Sequence, residues 1–343
     1  MTFRAVLYRE KILLITLPNA KNCRSPRELV GDFVTLFGTA DPELLEHEGK
    51  AFTAGGRRYT VDVHGHSLSV YSGTGSRRTI AHDVIVRKIA DIMGFAGLPG
   101  VAVEDANVFK CCIDSTARRR RYLQQLGSHT TGHGIRPDLS VPRHPFARSS
   151  VGPSQHQLYD VKTIGRTPTY HTPYRVQPAD QRARAVPGEY RRSAIQCDRT
   201  WNGTPPGTVG TFEAYLRSLP PVIGLGFGGY GEWSKEVDSL IGQLAEIASA
   251  VPERLGCCHG PAQAQGQYAQ WARKHLHRES LREVSRCRHA ALDRLLLRPT
   301  ETYAGDPDHC RMMDDSPNDP GVANAWDSSD ARGAYEDRPP RAA

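Results

Sequence analysis

Leu158-Tyr159-Asp160-Val161-Lys162-Thr163-Ile164 is a β-rich run broken by one acid and one base. That composition predicts a strand, and side chains alternate faces along a strand, so Asp160 and Lys162 share one face. Asp138 stands 22 positions before Asp160, in Ile135-Arg136-Pro137-Asp138-Leu139-Ser140-Val141, which predicts a second short strand bearing one acid. If the two strands pair, both carboxylates converge on one point with an ammonium beside them. Two hard oxygen ligands and a lysine suit a Mg²⁺ (or Mn²⁺) ion that assists phosphodiester hydrolysis. The plain alternative is a surface strand on which Asp160 and Lys162 form an exposed same-face ion pair.

The neighbouring sequence extends the pattern. Thr79-Ile80-Ala81-His82-Asp83-Val84-Ile85-Val86-Arg87-Lys88-Ile89-Ala90-Asp91-Ile92-Met93 predicts a helix, with Ile85, Ile89, Ile92 and Met93 as its apolar stripe and Gly94 and Gly97 at its end. Val101-Ala102-Val103-Glu104 predicts a strand that brings Glu104 towards the same site. A helix at Glu189-Tyr190-Arg191-Arg192-Ser193-Ala194-Ile195 follows, then a strand at Pro221-Val222-Ile223-Gly224-Leu225-Gly226-Phe227. Ser234 is placed to cap a further helix whose apolar face holds Leu240, Ile241, Leu244, Ile247, Ala248 and Val251. The expected order is αβββαβ, an α/β core whose mixed sheet is flanked by helices.

Pro137-Asp138 followed by Asp160-Val161-Lys162 resembles the PD-(D/E)xK, or restriction-like, nuclease motif. Together with His64-Gly65-His66-Ser67-Leu68-Ser69, Arg77-Arg78-Thr79-Ile80-Ala81-His82-Asp83, Glu104 and a basic helix over 271–297, it is similar to the restriction-like endonuclease domain of some non-LTR retrotransposon polyproteins. The likeness covers about residues 60–298. It implies a restriction-endonuclease-like core and a metal-dependent DNA endonuclease from a mobile element, which leaves a 3′-hydroxyl usable as a primer. DNA is then the substrate, and a reverse transcriptase or another mobile-element protein a partner. Asp138 and Asp160 would hold the metal with the Val161 carbonyl as third ligand, and Lys162 would position water and stabilise charge. Glu104 would add a ligand or orient a water, and His82 and Tyr190 would support the site. Such domains often carry a Cys-rich zinc knuckle before the His-bearing helix; here no cysteine lies between Cys23 and Cys111. A catalytically inactive nucleic-acid-binding remnant of such a domain is the alternative.

Charge is divided unevenly. The chain has 44 Lys and Arg against 37 Asp and Glu, yet residues 301–343 hold ten acids and four arginines. The remainder, with 40 basic and 27 acidic residues, carries +13, which favours a polyanionic partner. Arg118-Arg119-Arg120-Arg121, between Glu104 and Asp138, is expected to grip phosphates, with a solvated loop or localisation patch as the other reading. Tyr122 and Tyr170-His171-Thr172-Pro173-Tyr174-Arg175 offer rings for base stacking or for packing. Eight cysteines without a CxxC pair, no secretory signal and no span for a membrane fit reduced thiols in a nuclear or cytoplasmic protein. Cys111 or Cys112 with His129 and His133, or Cys257-Cys258-His259, offer zinc-ligand side chains, though adjacent cysteines suit a tetrahedral site poorly.

The expected organisation is a small β-containing lead-in over 1–76, with a strand at 12–17, a helix at 26–37 and a hairpin about Gly55-Gly56. A nuclease-like core over 77–252 follows, then a basic helical segment over 253–298 and a disordered acidic tail over 299–343. Gly226-Phe227-Gly228-Gly229-Tyr230-Gly231 contains GxGxxG between a strand and a helix. No strand ending in an acid follows that helix, so the motif is read as a flexible turn, and no small-molecule cofactor is expected.

Overall fold

The computed structural model describes residue 30 and residues 40–54, 57–69, 75–127, 134–141, 156–164, 178–229, 231–250 and 260–297. The strand at 12–17, the helix at 26–37, Gly55-Gly56, the 142–155 connection, His129, His133, the aromatic motif at 170–175, Cys257-Cys258-His259 and the acidic tail lie outside them. The elements, in chain order, are α1 (Pro42–Leu45), β1 (Ala51–Ala54), β2 (Arg57–Thr60), α2 (His66–Ser69), α3 (Gly75–Phe95), β3 (Ala102–Val103), a 3₁₀ turn (Lys110–Cys112) and α4 (Thr116–Gly127). There follow β4 (Leu139–Val141), β5 (Gln157–Thr163), α5 (Pro178–Cys197), a π turn (Asp198–Asn202), α6 (Thr211–Ser218), β6 (Ile223–Phe227), α7 (Lys235–Ser249) and α8 (Pro261–Leu297). Among these described helices none is long and apolar enough to cross a membrane.

The fold is α/β, with a two-stranded sheet, β1-β2, and a mixed four-stranded sheet in the order β3-β4-β5-β6. β3, β4 and β5 pair antiparallel and β6 joins β5 in parallel. Alternation divides the larger sheet into two faces. Leu139, Val141, Tyr159, Val161, Leu225 and Phe227 pack with Ile85, Ile89 and Met93 of α3, Leu240 and Leu244 of α7 and Tyr268 and Leu276 of α8. Leu158, on the opposite face, joins Tyr122, Val186, Tyr190, Ala194 and Phe212 from α4, α5 and α6. Burial of such side chains contributes about 2 kcal/mol each, which is what fixes strand register against a one-residue slip.

Helix ends follow local chemistry. α3 stops where the backbone turns left-handed at Gly97 (φ 94°), whose N–H donates to Gly94 O while Leu98 N–H donates to Met93 O. Those two bonds satisfy carbonyls the helix would otherwise leave free. Ser234 precedes α7, as expected, but its hydroxyl does not cap the helix: it accepts from Gly226 N–H at 3.2 Å. Asp180 of α5 serves instead, accepting the Lys235 N–H at 2.8 Å. The glycine-rich segment after β6 is tied across itself by Gly228 N–H to Glu232 O, Ser234 N–H to Gly226 O and a Phe227–Trp233 bridge, so the expected flexible turn is a bonded one.

α8 extends the core. Tyr268 donates to Ile92 O at 2.6 Å, and the far end of α8 meets the lead-in, where Leu44, Val61 and Leu68 pack on Ala291 and Leu292 and Arg288 pairs with Asp41 at 2.8 Å. The Arg- and His-rich side of α8 is partly buried, including His277, Arg288 and His289.

The buried Asp198 caps α6 from outside. Gly210 occupies the N-cap position and offers no side chain; Asp198 accepts Phe212 N–H and Glu213 N–H, each at 2.9 Å. Replacing Asp198 with alanine strands both N–H groups, and a loss of about 2 kcal/mol is expected in urea unfolding. An unchanged midpoint would mean that water satisfies them.

Candidate active site

Register places the acids. β4 and β5 pair Leu139 with Tyr159 and Ser140 with Leu158, so the same antiparallel register sets Asp138 opposite Asp160. β3 pairs Val103 with Leu139, and the next bond, Glu104 N–H to Asp138 O at 2.9 Å, sets Glu104 beside Asp138. On the other side Asp160 faces Gly224 and Lys162 faces Gly226. One row across the sheet thus holds Glu104, Asp138, Asp160 and a glycine.

Asp138 sits just before β4 rather than within it. Its Oδ2 accepts the Val161 N–H at 2.6 Å and meets His82 Nε2 of α3 at 3.2 Å. Val161 is therefore bound to Asp138 through its amide, which fixes β5 against the carboxylate. His82 Nδ1 lies 3.2 Å from Asp83 Oδ1. Burial alone would depress the imidazolium, but the bonds and charge of Asp138 and Asp83 override it and raise the His82 pKa to about 9. This pair stabilises the fold fully below the ordinary histidine value of 6.5 and less as pH rises through about 9. Unfolding midpoints measured between pH 6 and 10 should fall over that window in the wild type, and the fall should shrink in His82→Gln. Equal slopes would exclude the pair as its source.

Asp160 is only 6% exposed. Tyr190 of α5 donates to its Oδ1 at 3.1 Å, and Lys162 Nζ lies 2.6 Å from its Oδ2, an atom that makes no well-directed hydrogen bond. Burial and then the neighbouring Asp138 charge raise the Asp160 pKa, with Lys162 and Tyr190 acting in the opposite sense. Burial, followed by the charges of Asp160 and Asp138, likewise pushes Tyr190 well above the ordinary phenol value, so it remains a donor. The surface ion pair considered from sequence does not describe this arrangement, because the carboxylate is buried among like charge.

Glu104 behaves differently. It lies one residue beyond β3, with a left-handed backbone (φ 50°), and its Oε2 pairs with Arg136 at 3.2 Å. Non-glycine residues adopt that conformation at a cost of about 1–3 kcal/mol. Arg118 to Arg121 form the first turns of α4, not a loop. Arg118 donates to Trp201 O and Arg119 to Ile113 O, while Arg120 and Arg121 are exposed. Tyr122 is fully buried and donates to Ile135 O, so it packs and does not stack on bases.

Sequence reasoning missed three contributors. Glu189 Oε2 stands 3.6 Å from Lys162 Nζ, and its Oε1 is held by Arg182 at 2.6 Å. Arg136 holds Glu104. Gly224 and Gly226 let α5 descend onto β6: a Cβ at Gly224 would come 2.7 Å from Val186 Cγ2 and 2.8 Å from Ala183 Cα, and one at Gly226 would lie 2.9 Å from the Ala179 carbonyl carbon. The spacing of two glycines on one strand face was the available signal.

Among the described residues no group of three or more His, Cys, Asp or Glu side chains gathers around one metal position. What the register does bring together is the Asp138 and Asp160 carboxylates, the latter with a buried oxygen lacking a directed donor. That donor set fits Mg²⁺, which is held by one or two carboxylates and keeps several waters. No family model matches the chain, and neither a curated protein nor a solved structure matches it.

Proposed function

We propose that the chain is a metal-dependent DNA endonuclease in which Asp138 and Asp160 hold Mg²⁺. The observation that carries this is the strand row that sets Asp138 against Asp160 with the Lys162 ammonium on the Asp160 carboxylate. A divalent ion held there would polarise the scissile phosphodiester and make a bound water nucleophilic near neutral pH. Lys162 orients the attacking water and stabilises negative charge on the phosphorane-like transition state. Tyr190 fixes the Asp160 carboxylate from one side, and His82 and the Val161 N–H fix Asp138. Glu104, at the end of the row, orients a water.

Two further features support the reading. Once the inserted α4 and α6 are set aside, α3, the antiparallel β3, β4 and β5, α5 and the parallel β6 follow the αβββαβ order that the resemblance to restriction-like nucleases implies. The exposed Arg182, Arg184, Arg191 and Arg192 of α5, with Arg120 and Arg121 of α4, lie on helices that cover the Asp160 face, where they would contact phosphates. The direct test is relaxation of supercoiled plasmid. Nicking in Mg²⁺ or Mn²⁺ that stops on adding EDTA, with nicks extended by a polymerase, is expected. DNA binding without nicking in either metal would instead establish the non-catalytic binding module.

A further inference from the structure

Lys162 stands between two carboxylates that differ in setting. Asp160, at 2.6 Å, is buried and belongs to the acid row; Glu189, at 3.6 Å, is partly open and lies on α5. Arg182 holds Oε1 of Glu189 at 2.6 Å, so its Oε2 is the oxygen turned to the ammonium. Arg182 and Glu189 are seven positions apart, two helical turns, and share one flank of α5. Among the described residues these are the carboxylates that pair with Lys162.

An ammonium on Asp160 Oδ2 and a divalent cation on the same oxygen exclude each other by charge and by space. Lys162 must leave that oxygen as a cation is taken up, and a half-buried ammonium, its side chain 24% exposed, is costly to leave without a counter-ion. Resting on the nuclease reading above, we propose that Glu189 is a positioning residue that receives Lys162 when a divalent cation occupies Asp138 and Asp160. It keeps the ammonium at the edge of the site, beside the position of the scissile phosphate. Glu189 thereby favours cation uptake without touching the cation. If Glu189 were only half of a partly exposed ion pair with Arg182, its removal would change little and would not depend on Lys162.

The test is a double-mutant cycle on Mn²⁺ affinity, read by electron paramagnetic resonance on the full chain without DNA. Glu189→Gln is expected to weaken Mn²⁺ binding about tenfold, because Lys162 then has only Asp160 to pair with. In a Lys162→Met background the same substitution should shift affinity less than about twofold. Should Glu189→Gln not fold, Arg182→Ala, which keeps the carboxylate but releases its anchor, should give a smaller loss that also vanishes without Lys162. Equal affinity for wild type and Glu189→Gln, or an equal loss in both backgrounds, overturns the role given to Glu189 and leaves the nuclease reading standing. A wild-type chain that binds no Mn²⁺ removes both.

Discussion

Asp160→Asn should lose about three orders of magnitude in the rate of Mg²⁺-dependent nicking while keeping its fold and its affinity for DNA. The amide preserves the shape of the carboxylate and an oxygen for the Tyr190 hydroxyl, which donates to Oδ1 at 3.1 Å. What it removes is the negative charge that a cation needs. Several kcal/mol of transition-state stabilisation depend on that cation, and about 4 kcal/mol corresponds to roughly a thousandfold in rate. Stability should not fall with activity. Burial and the adjacent Asp138 raise the Asp160 pKa, so its ionised form costs the folded state free energy at neutral pH. Asparagine escapes that cost, and Lys162 retains Glu189 as a partner. Affinity should hold because it comes mainly from phosphate contacts elsewhere on the surface. Nicking rate, thermal midpoint and DNA affinity measured on one preparation separate the cases. A variant that nicks like the wild type would show that Asp160 is no ligand, and one that unfolds would show that its role is structural.

The second large effect is expected at an uncharged residue, the glycine that faces Asp160 across the sheet. Gly224→Ala should cost about 2–3 kcal/mol of stability and slow nicking about a hundredfold. The new Cβ would overlap the Ala183 carbonyl oxygen and approach Val186 Cγ2 to 2.7 Å. The obstacle is helix backbone, which cannot rotate aside as a long side chain can. Pro187 lies four residues beyond Ala183 and has no N–H to offer, so the Ala183 carbonyl lacks its usual helical donor and lies against the strand. Asp180 and the fully buried Ala179 anchor the start of the helix, so relief must come from lifting α5. That helix carries Tyr190 and Glu189, and displacement of a catalytic site by about 1 Å can cost 10²-fold. Urea unfolding and nicking rate should both move; unchanged values would mean that α5 is not seated on β6 as described.

The acids were legible because strand periodicity and antiparallel register are local rules. Asp160 and Lys162 share a face by alternation alone, and pairing two short strands sets Asp138 across from Asp160. The apolar stripe of α3 and its Gly97 stop could be read in the same way. Other features depended on tertiary contacts. The first half of α5 is hidden by Pro178, Pro187 and Gly188, residues that local propensity counts against a helix; packing of Ala179, Ala183 and Val186 on β6 outweighs that cost. The arginine run looks like a loop until Tyr122, four residues after Arg118, is seen buried against Trp201. Ser234 has the chemistry of a cap, yet Asp180, 54 positions earlier, does the capping. Partners such as Arg136 for Glu104 and Glu189 for Lys162 leave no trace in spacing, since each pair is joined only by the fold.

On the proposed function, one divalent cation is held between Asp138 and Asp160. Crystals of the wild-type chain soaked in Mn²⁺ and measured at the manganese absorption edge test it most directly. A single anomalous peak is expected about 2.1 Å from an oxygen of each carboxylate, with the Lys162 ammonium withdrawn from Asp160. No peak at that position, in the same buffer in which the protein nicks plasmid, would mean that the two acids do not hold the cation.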